Sequence, residues 1–500
     1  MDMPAFPRDV RLAEANNSTQ PLVANHDPRF AGTDAMSKNG RMSHVFDATC
    51  LRAYDIRGIV GVTLTEQDAY AVGRAYAAML SAAGGTRVAV GYDGRDSSPG
   101  MEEALTKGLT DSGMHVCQIG LGSTPTLYFA VYELETDGGI MVTGSHNPAE
   151  YNGFKLVLGK RALSGEDIQK LGQIAANGDY VNGHGSFEET PVDVPHIARI
   201  VKDNPIAVPM TVVWDPGHGA PASVLPSLTA LLPGTHHLIN CEVDSSFPAH
   251  HPDPTKAENL VQLQDAVKRT RADIGIALDG DGDRIGVVDG EGEIVWADQL
   301  LVLFAQSVLA ECPGATIIAD VKASQSLFDA VTDAGGNPVM WRSGHSLIKA
   351  KMAETGALLA GEMSGHICLA DRYYGFDDAF YAAVRLLSIL AGSGRTLADF
   401  RKSLPPIMNT PELRFDCPEA RKFAVVEEVS QRLTDAGANV IALDGVRVKL
   451  EDGWWLLRAS NTQNALVARC EASCAAGLAT AKAALSAQLA QSGVALPGDA

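Results

Sequence analysis

A short apolar, strand-like run that ends in aspartate and opens into a loop of small residues occurs at domain-sized intervals. No other feature constrains the fold as much. Arg87-Val-Ala-Val-Gly-Tyr-Asp93 runs into Gly94-Arg95-Asp96-Ser97-Ser98, Met210-Thr-Val-Val-Trp-Asp215 into Pro216-Gly217-His218-Gly219, and Ala315-Thr-Ile-Ile-Ala-Asp320 into Val321-Lys322-Ala323-Ser324. Each is followed by helix-like sequence and later by another strand, the signature of three similar mixed α/β domains. In open α/β sheets ligands gather at the carboxyl ends of strands, so these loops are where chemistry is expected.

The tail has a different pattern. After Pro405-Pro406, a helix is expected from Pro418 to Leu433, then strands at Val446–Leu450, Trp454–Ala459 and Ala465–Glu471, then an Ala-rich helix from about Ala475 to Gln491. That order describes a C-terminal α+β domain with an antiparallel sheet, joined by a proline-marked linker that could hinge. The expected division is 1–44 as a disordered N-terminal extension, then domains at 45–195, 196–297, 298–405 and 406–500. Residues 1–44 carry Pro4, Pro7, Pro21 and Pro28 and scattered acids, and contain no apolar run fit for a signal peptide.

Charge narrows the partners. Sixty acidic residues against 40 basic give a net charge of −20, which repels nucleic acid and anionic lipid. No apolar run of about 18 residues is present, so no membrane span is expected. The eight cysteines lack paired metal spacing and read as reduced cytosolic thiols. An anionic substrate would need a local cluster of positive groups to overcome the global field.

Four motifs carry candidate chemistry. Thr143-Gly144-Ser145-His146-Asn147-Pro148 follows the expected strand Gly139–Val142 and puts the Ser145 hydroxyl on a tight loop, although the same residues also make a plain turn. Asp279-Gly-Asp281-Gly-Asp283-Arg284 offers three carboxylates at alternate positions, which can converge on one hard cation, magnesium or calcium. An EF-hand is excluded: Arg284 and Gly290 stand where that loop needs glycine and glutamate, and no helix precedes it. Three acids beside an arginine suit a metal and a phosphate held side by side. Gly361-Glu362-Met-Ser364-Gly-His366 offers a carboxylate and a hydroxyl suited to a sugar's vicinal hydroxyls, or else a surface turn. Arg458-Ala-Ser460-Asn461-Thr462 reads as a phosphate cradle or as a helix cap. Arg57 in Tyr54-Asp-Ile-Arg57-Gly, Lys155, Lys322 and His345 complete the positive cluster. His250-His251 has no further ligands at metal spacing, and one ring of Trp454-Trp455 is expected to be buried in its strand.

In this order the motifs resemble the α-D-phosphohexomutase superfamily, most closely the bacterial phosphomannomutase/phosphoglucomutases, over essentially Phe46 to Glu471. The resemblance implies four domains around one central cleft. It makes Ser145 a phosphoserine that also ligates magnesium alongside Asp279, Asp281 and Asp283. Glu362 and Ser364 would read sugar hydroxyls, and Arg458, Ser460, Asn461 and Thr462 would grip the non-reacting phosphate. Tyr54, Arg284, Lys322 and His345 would line the substrate site, and Arg57 and Arg284 would stabilise the transferring group. His146 stands beside the carrier, and Lys155, His345 and His366 are the candidates for proton transfer. The implied activity is interconversion of hexose 1- and 6-phosphates of mannose and glucose, with glucose 1,6-bisphosphate as activator, in a cytoplasmic monomer. Phosphoglucosamine mutase and a magnesium-dependent sugar phosphatase are the alternatives.

Overall fold

The computed structural model describes residues 42–460 and 464–496, together with the backbone of 35–36. Asn461, Thr462 and most of the 1–44 segment lie outside the described residues.

Each of the three aspartate-ended strands sits inside its own mixed sheet. In the first sheet the order is 56–59, 151–158, 138–142, 87–92, 115–121, 186–189, with Arg87–Tyr92 parallel to both neighbours. The second runs 234–238, 210–215, 274–278, 285–289, 294–295, and the third 337–341, 316–320, 359–361, 367–369. All three repeat one plan: parallel central strands, then an antiparallel return strand beside the last of them. The loop between that last parallel strand and its return holds Ser145 in the first sheet, the three aspartates in the second and Glu362 in the third. The fold thus aims three chemically different loops from equivalent positions, at the carboxyl ends of parallel strands.

The terminal aspartates hold these loops. Asp93 accepts hydrogen bonds from the Gly144 amide, the Thr143 hydroxyl, the Ser98 hydroxyl and the Arg95 amide. Asp215 accepts from the Gly217 amide and faces His250 at 2.9 Å, which gives that histidine a structural partner. Asp320 accepts from the Ser343 hydroxyl and the Met363 amide. A buried carboxylate with several donors rigidifies its loop, because releasing any donor would leave a buried charge less satisfied.

One hydrophobic core runs through all three α/β units, from Leu127 and Phe129 past Trp214 and Ile276 to Phe304 and Phe380. The helix Asp193–Asp203 lies at the expected first boundary and contributes Ile197 and Ile200 to this shared core.

The tail forms an antiparallel sheet in the order 408–409, 465–472, 454–459, 446–449, 440–441, with 413–416 also paired to 465–472. Helices Glu419–Asp435 and Ala475–Gln491 accompany it around a core of its own, including Val425, Trp455 and Leu485. Its seam with the third unit is mostly polar. Arg447 donates to the Val321 and Ala323 carbonyls, Arg469 donates to the Lys322 carbonyl, and Glu471 accepts from Ser324 and Trp454. The Arg447 guanidinium lies 3.7 Å from the Trp454 ring centroid. Both Trp454 and Trp455 are buried, one in this seam and one in the tail's core. All eight cysteines are free thiols, and five of them are buried.

Candidate active site

Ser145 sits at the tip of its loop with φ +48°, a left-handed conformation costly for a residue with a side chain and held only where surroundings enforce it. Arg95 does the enforcing. Its buried guanidinium donates to the carbonyls of Ser145 (2.8 Å), Asn147 (2.6 Å), Pro148 (2.6 Å) and Tyr151 (2.9 Å), and its Nε meets Asp93 at 3.2 Å. Arg57 adds a bond to the Gly144 carbonyl at 2.6 Å and pairs with Asp55. Glycine is required at 144, since a Cβ there would lie 2.2 Å from Arg95 Nε. The Ser145 hydroxyl emerges 3.1 Å from His146 Nδ1 and 3.2 Å from Asp279 Oδ2. Burial, with Arg284 and Arg57 close by, holds His146 well below the usual histidine range.

The strand Ile274–Leu278 delivers the acidic loop against this serine. Gly280 permits the approach: a Cβ there would come within 2.4 Å of the Ser145 carbonyl. One oxygen of Asp279 accepts from the amides of Gly282, Asp283 and Arg284 and shapes the turn. Asp281 accepts from the Thr124 hydroxyl, and Lys155 donates to Asp281 and Asp283 at 2.6 and 2.5 Å. Ligand oxygens of the three aspartates lie within 4.8 Å of one another, and all three residues are fully buried. Asp281 Oδ1 has no hydrogen-bond partner, and Asp283 Oδ1 has only the ion-pair contact of His366 Nε2 at 3.4 Å. Three converging buried acids, two of them with an under-satisfied oxygen, fit a hard divalent cation, which would satisfy those oxygens.

Electrostatics divides the cluster. Burial and the charges of Asp281 and Asp283 push Asp279 well above the usual carboxylate range. Burial also opposes ionisation of Asp283, but Lys155, His366 and Arg284 outweigh it and hold that carboxyl well below. For Lys155 burial is likewise outweighed, by the three aspartates, so its pKa is raised and the ammonium is firmly charged.

The third loop closes over the second. Arg284 Nε reaches His366 Nε2 at 3.2 Å, and the Ile285 amide donates to the Gly365 carbonyl. His366 Nε2 faces Asp283 at 3.4 Å, while its Nδ1 faces the Ser364 hydroxyl at 2.9 Å and Glu362 at 3.1 Å, the last close enough to pair as charges but not aligned as a hydrogen bond. Burial disfavours the imidazolium, yet Asp283 and Glu362 push His366 up to about 9. Glu362, although buried, is drawn down to about 2 by His366, Lys322 and the Gly344 amide. His345 stacks on His366 with ring centroids 5.3 Å apart and faces Asp377 at 3.3 Å. Burial and Lys349 pull His345 below the usual range against the opposing effect of Asp377.

The fourth motif meets residues of the first and third units. Arg458 is buried and pairs with Asp444 at 3.0 Å. Asp444 also accepts from the Ser343 amide, and the Ser343 carbonyl accepts from the Tyr54 hydroxyl at 2.8 Å. Ser460 is buried two residues on, just past the end of the strand Trp454–Ala459. Lys322 is engaged by Glu412 at 3.2 Å and Asp320 at 3.6 Å, so a bound phosphate would compete with those carboxylates. Hydrogen bonds thus link Ser145 to Asp279, Arg284 to His366, Gly344 to Glu362, and Tyr54 through Ser343 to Asp444, the partner of Arg458. Reasoning from sequence missed Arg95, Asp377, Lys349, Asp444 and Glu412, whose partners are remote in the chain. Asp93 and Asp320 were visible as strand ends, but not as the groups that hold the loops.

Three mixed sheets that bring together a strained serine, three buried carboxylates able to hold a cation and a carboxylate–histidine loop define a phosphoryl-transfer class of protein. Models of the phosphoglucomutase/phosphomannomutase family match four successive segments: alpha/beta/alpha domain I over residues 49–182, domain II over 194–292, domain III over 296–408 and the C-terminal domain over 412–488. The chain belongs to that family. It is 47% identical over 425 residues to a phosphomannomutase/phosphoglucomutase of Pseudomonas aeruginosa, covering 85% of this chain and 92% of that one. It is 44% identical to a phosphoglucomutase of Neisseria gonorrhoeae, covering 84% and 92% respectively. A solved phosphoglucomutase/phosphomannomutase family protein from Burkholderia thailandensis superposes with a TM-score of 0.85 at 40% identity, covering 91% of this chain and 99% of that one.

Proposed function

We propose that this chain interconverts the 1- and 6-phosphates of mannose and glucose through phosphorylated Ser145 and a hexose 1,6-bisphosphate. The observation that carries the reading is the Ser145 hydroxyl, held in a left-handed turn 3.2 Å from Asp279 in a cluster of three buried aspartates. Asp279, Asp281 and Asp283, with the phosphate on Ser145, would hold magnesium, which when bound neutralises charge on the transferring phosphoryl group.

The chain's own residues account for the rest. Phosphoserine gives its phosphoryl to the free hydroxyl of a hexose monophosphate: the Ser145 O–P bond breaks, a sugar O–P bond forms, and the hydroxyl proton leaves to a base. Such transfer depends mainly on positioning and charge neutralisation. Arg57 and Arg284 flank the group, with His146 beside the carrier oxygen. Lys155, His345 and His366 remain the candidates for moving the proton. Of these, Lys155 is bound to two aspartates and is best placed to hold the phosphoryl site electrostatically, while the stacked pair His345 and His366 lies beside the sugar-reading Glu362 and Ser364. Arg458, Ser460, Asn461, Thr462, Tyr54 and Lys322 would take the second phosphate. The bisphosphate then turns end for end and returns its other phosphate to Ser145, with glucose 1,6-bisphosphate as activator.

The domain division at 45–195, 196–297, 298–405 and 406–500 is part of this reading, with the tail as the movable cap. Its separate core and polar seam support that role. A cytoplasmic monomer is proposed. Among the described residues no helix is long and apolar enough to cross a membrane.

The test is phosphorus NMR of mannose 1-phosphate with enzyme, magnesium and a trace of glucose 1,6-bisphosphate, beside Ser145→Ala. Mannose 6-phosphate should appear and be abolished in the variant. Inorganic phosphate alone would mean a phosphatase, and turnover of glucosamine phosphate but not mannose phosphate would mean the glucosamine mutase. A mannose-to-glucose ratio of turnover beyond about a hundredfold, roughly 2.7 kcal/mol, would refute dual specificity.

A further inference from the structure

A cavity opens on the seam between the first and third domains, behind Asp377. It has a volume of about 330 Å³ and is lined by Tyr128, Tyr132, Lys160, Lys349, Met352 and Phe376 among others. That is near the lower end of the range for small-molecule sites, about 300–1,000 Å³. Its lining is apolar and aromatic and includes two lysines and no carboxylate. On a chain of net charge −20 this lining carries positive charge, with Lys349 paired to the buried Asp377 behind it.

Both lysines are poised over tyrosine rings. Lys160 Nζ lies 4.4 Å from the Tyr132 centroid and is solvent-exposed. Lys349 Nζ lies 4.2 Å from the Tyr128 centroid and donates to Asp377 at 2.6 Å. Asp377 turns its other oxygen to His345, with His366 at 3.9 Å. The helix His345–Thr355 spans the two sites: its first residue stacks in the cleft, Lys349 follows one turn on, and Met352 and Ala353 form the cavity wall. A helix of this length moves as a unit, so displacement at one end reaches the other.

We propose that this cavity binds a small apolar anion, in its simplest form an aromatic carboxylate. The ring would lie among the tyrosines, Met352 and Phe376, and the carboxylate would bridge Lys160 and Lys349. An anion on Lys349 competes with Asp377, and its occupancy reaches the catalytic cleft through that residue and through the helix. The site is separate from the sugar-phosphate cleft and needs no phosphorylated serine to bind.

The test uses the full chain with 2-naphthoate as probe and neutral 2-naphthamide as control, read by saturation-transfer NMR, so binding is measured whether or not the mutase reading holds. Naphthoate should bind saturably, and the amide at least about tenfold more weakly, which corresponds to about 1.4 kcal/mol for the ionic contact. Ala353→Phe, which fills the cavity, should abolish binding. Lys160→Ala, at an exposed position that should leave the fold intact, should weaken it about fivefold or more. Excess glucose 1-phosphate should not displace the probe, and naphthoate should lower turnover without raising KM. No saturable binding, equal binding of the amide, binding unchanged in both variants, or displacement by glucose 1-phosphate would each overturn the site. Saturable binding with unchanged turnover would overturn the coupling to the cleft.

Discussion

Arg95→Lys isolates how much of the site depends on the shape of one guanidinium. Arginine spreads its donors over four backbone carbonyls of the serine loop and over Asp93. Lysine keeps the charge, but from one nitrogen it can meet two of those carbonyls at most while staying near Asp93. At least two charge-assisted hydrogen bonds are then lost, about 1.5–3 kcal/mol each, offset in part if water enters. A net destabilisation of about 3 kcal/mol is expected, read as an earlier urea transition; because the chain is multidomain, the first transition is the one to compare. The kinetic effect should exceed the stability effect in diagnostic value. Ser145 holds φ +48° because its carbonyl and its neighbours' are tied to Arg95, and a shift of about 1 Å at a reacting atom costs about a hundredfold. The kcat should fall by that order while KM changes little, since Arg95 faces the loop backbone and not the sugar. Wild-type kcat in a folded Arg95→Lys enzyme would refute the claim that this residue sets the serine's position.

Gly280→Ala should be nearly as damaging as losing the carrier itself: the new Cβ would meet the Ser145 carbonyl at 2.4 Å, and mutase turnover should drop by at least about a hundredfold with the chain still folded. Asp281→Asn should weaken the response of turnover to added magnesium by about tenfold or more, and chelation should abolish wild-type turnover reversibly; an unchanged magnesium titration would remove Asp281 from the cation site. Burial opposes ionisation of Glu412, but Lys322 and Arg414 outweigh it and draw the carboxyl down to about 2, so its stabilising contribution is present above the unfolded carboxyl pKa and is lost as pH falls through about 2. Glu412→Gln should therefore flatten the acid limb of stability between about pH 4.5 and 2, by about 1–2 kcal/mol after allowing for its partial exposure, with no effect near neutrality on that limb's shape.

Much of the fold was legible because its signals are local. Strands ending in aspartate, the change of pattern after Pro405-Pro406 and the terminal Ala-rich helix all depend on runs of adjacent residues, and the structure places elements there. The convergence of Asp279, Asp281 and Asp283 was legible because alternate residues of one glycine-interrupted loop lie close together whatever their remote partners are. Ser145 and Glu362 were legible as loops at strand ends for the same reason.

Tertiary structure decided the partners. Lys155 meets Asp281 across 126 residues, Arg95 meets the serine loop across about 50, and Tyr54 meets Ser343 across 289, and no local pattern encodes such pairings. They settle what each charged group does. Asp93 and Asp320 hold loops, Lys155 is bound between carboxylates, and Asp377 joins His345 to Lys349. A residue's type and neighbours along the chain establish which chemistry it can perform. Burial and partners brought by packing determine its charge, its reach and whether it acts on a ligand or only holds the residue that does.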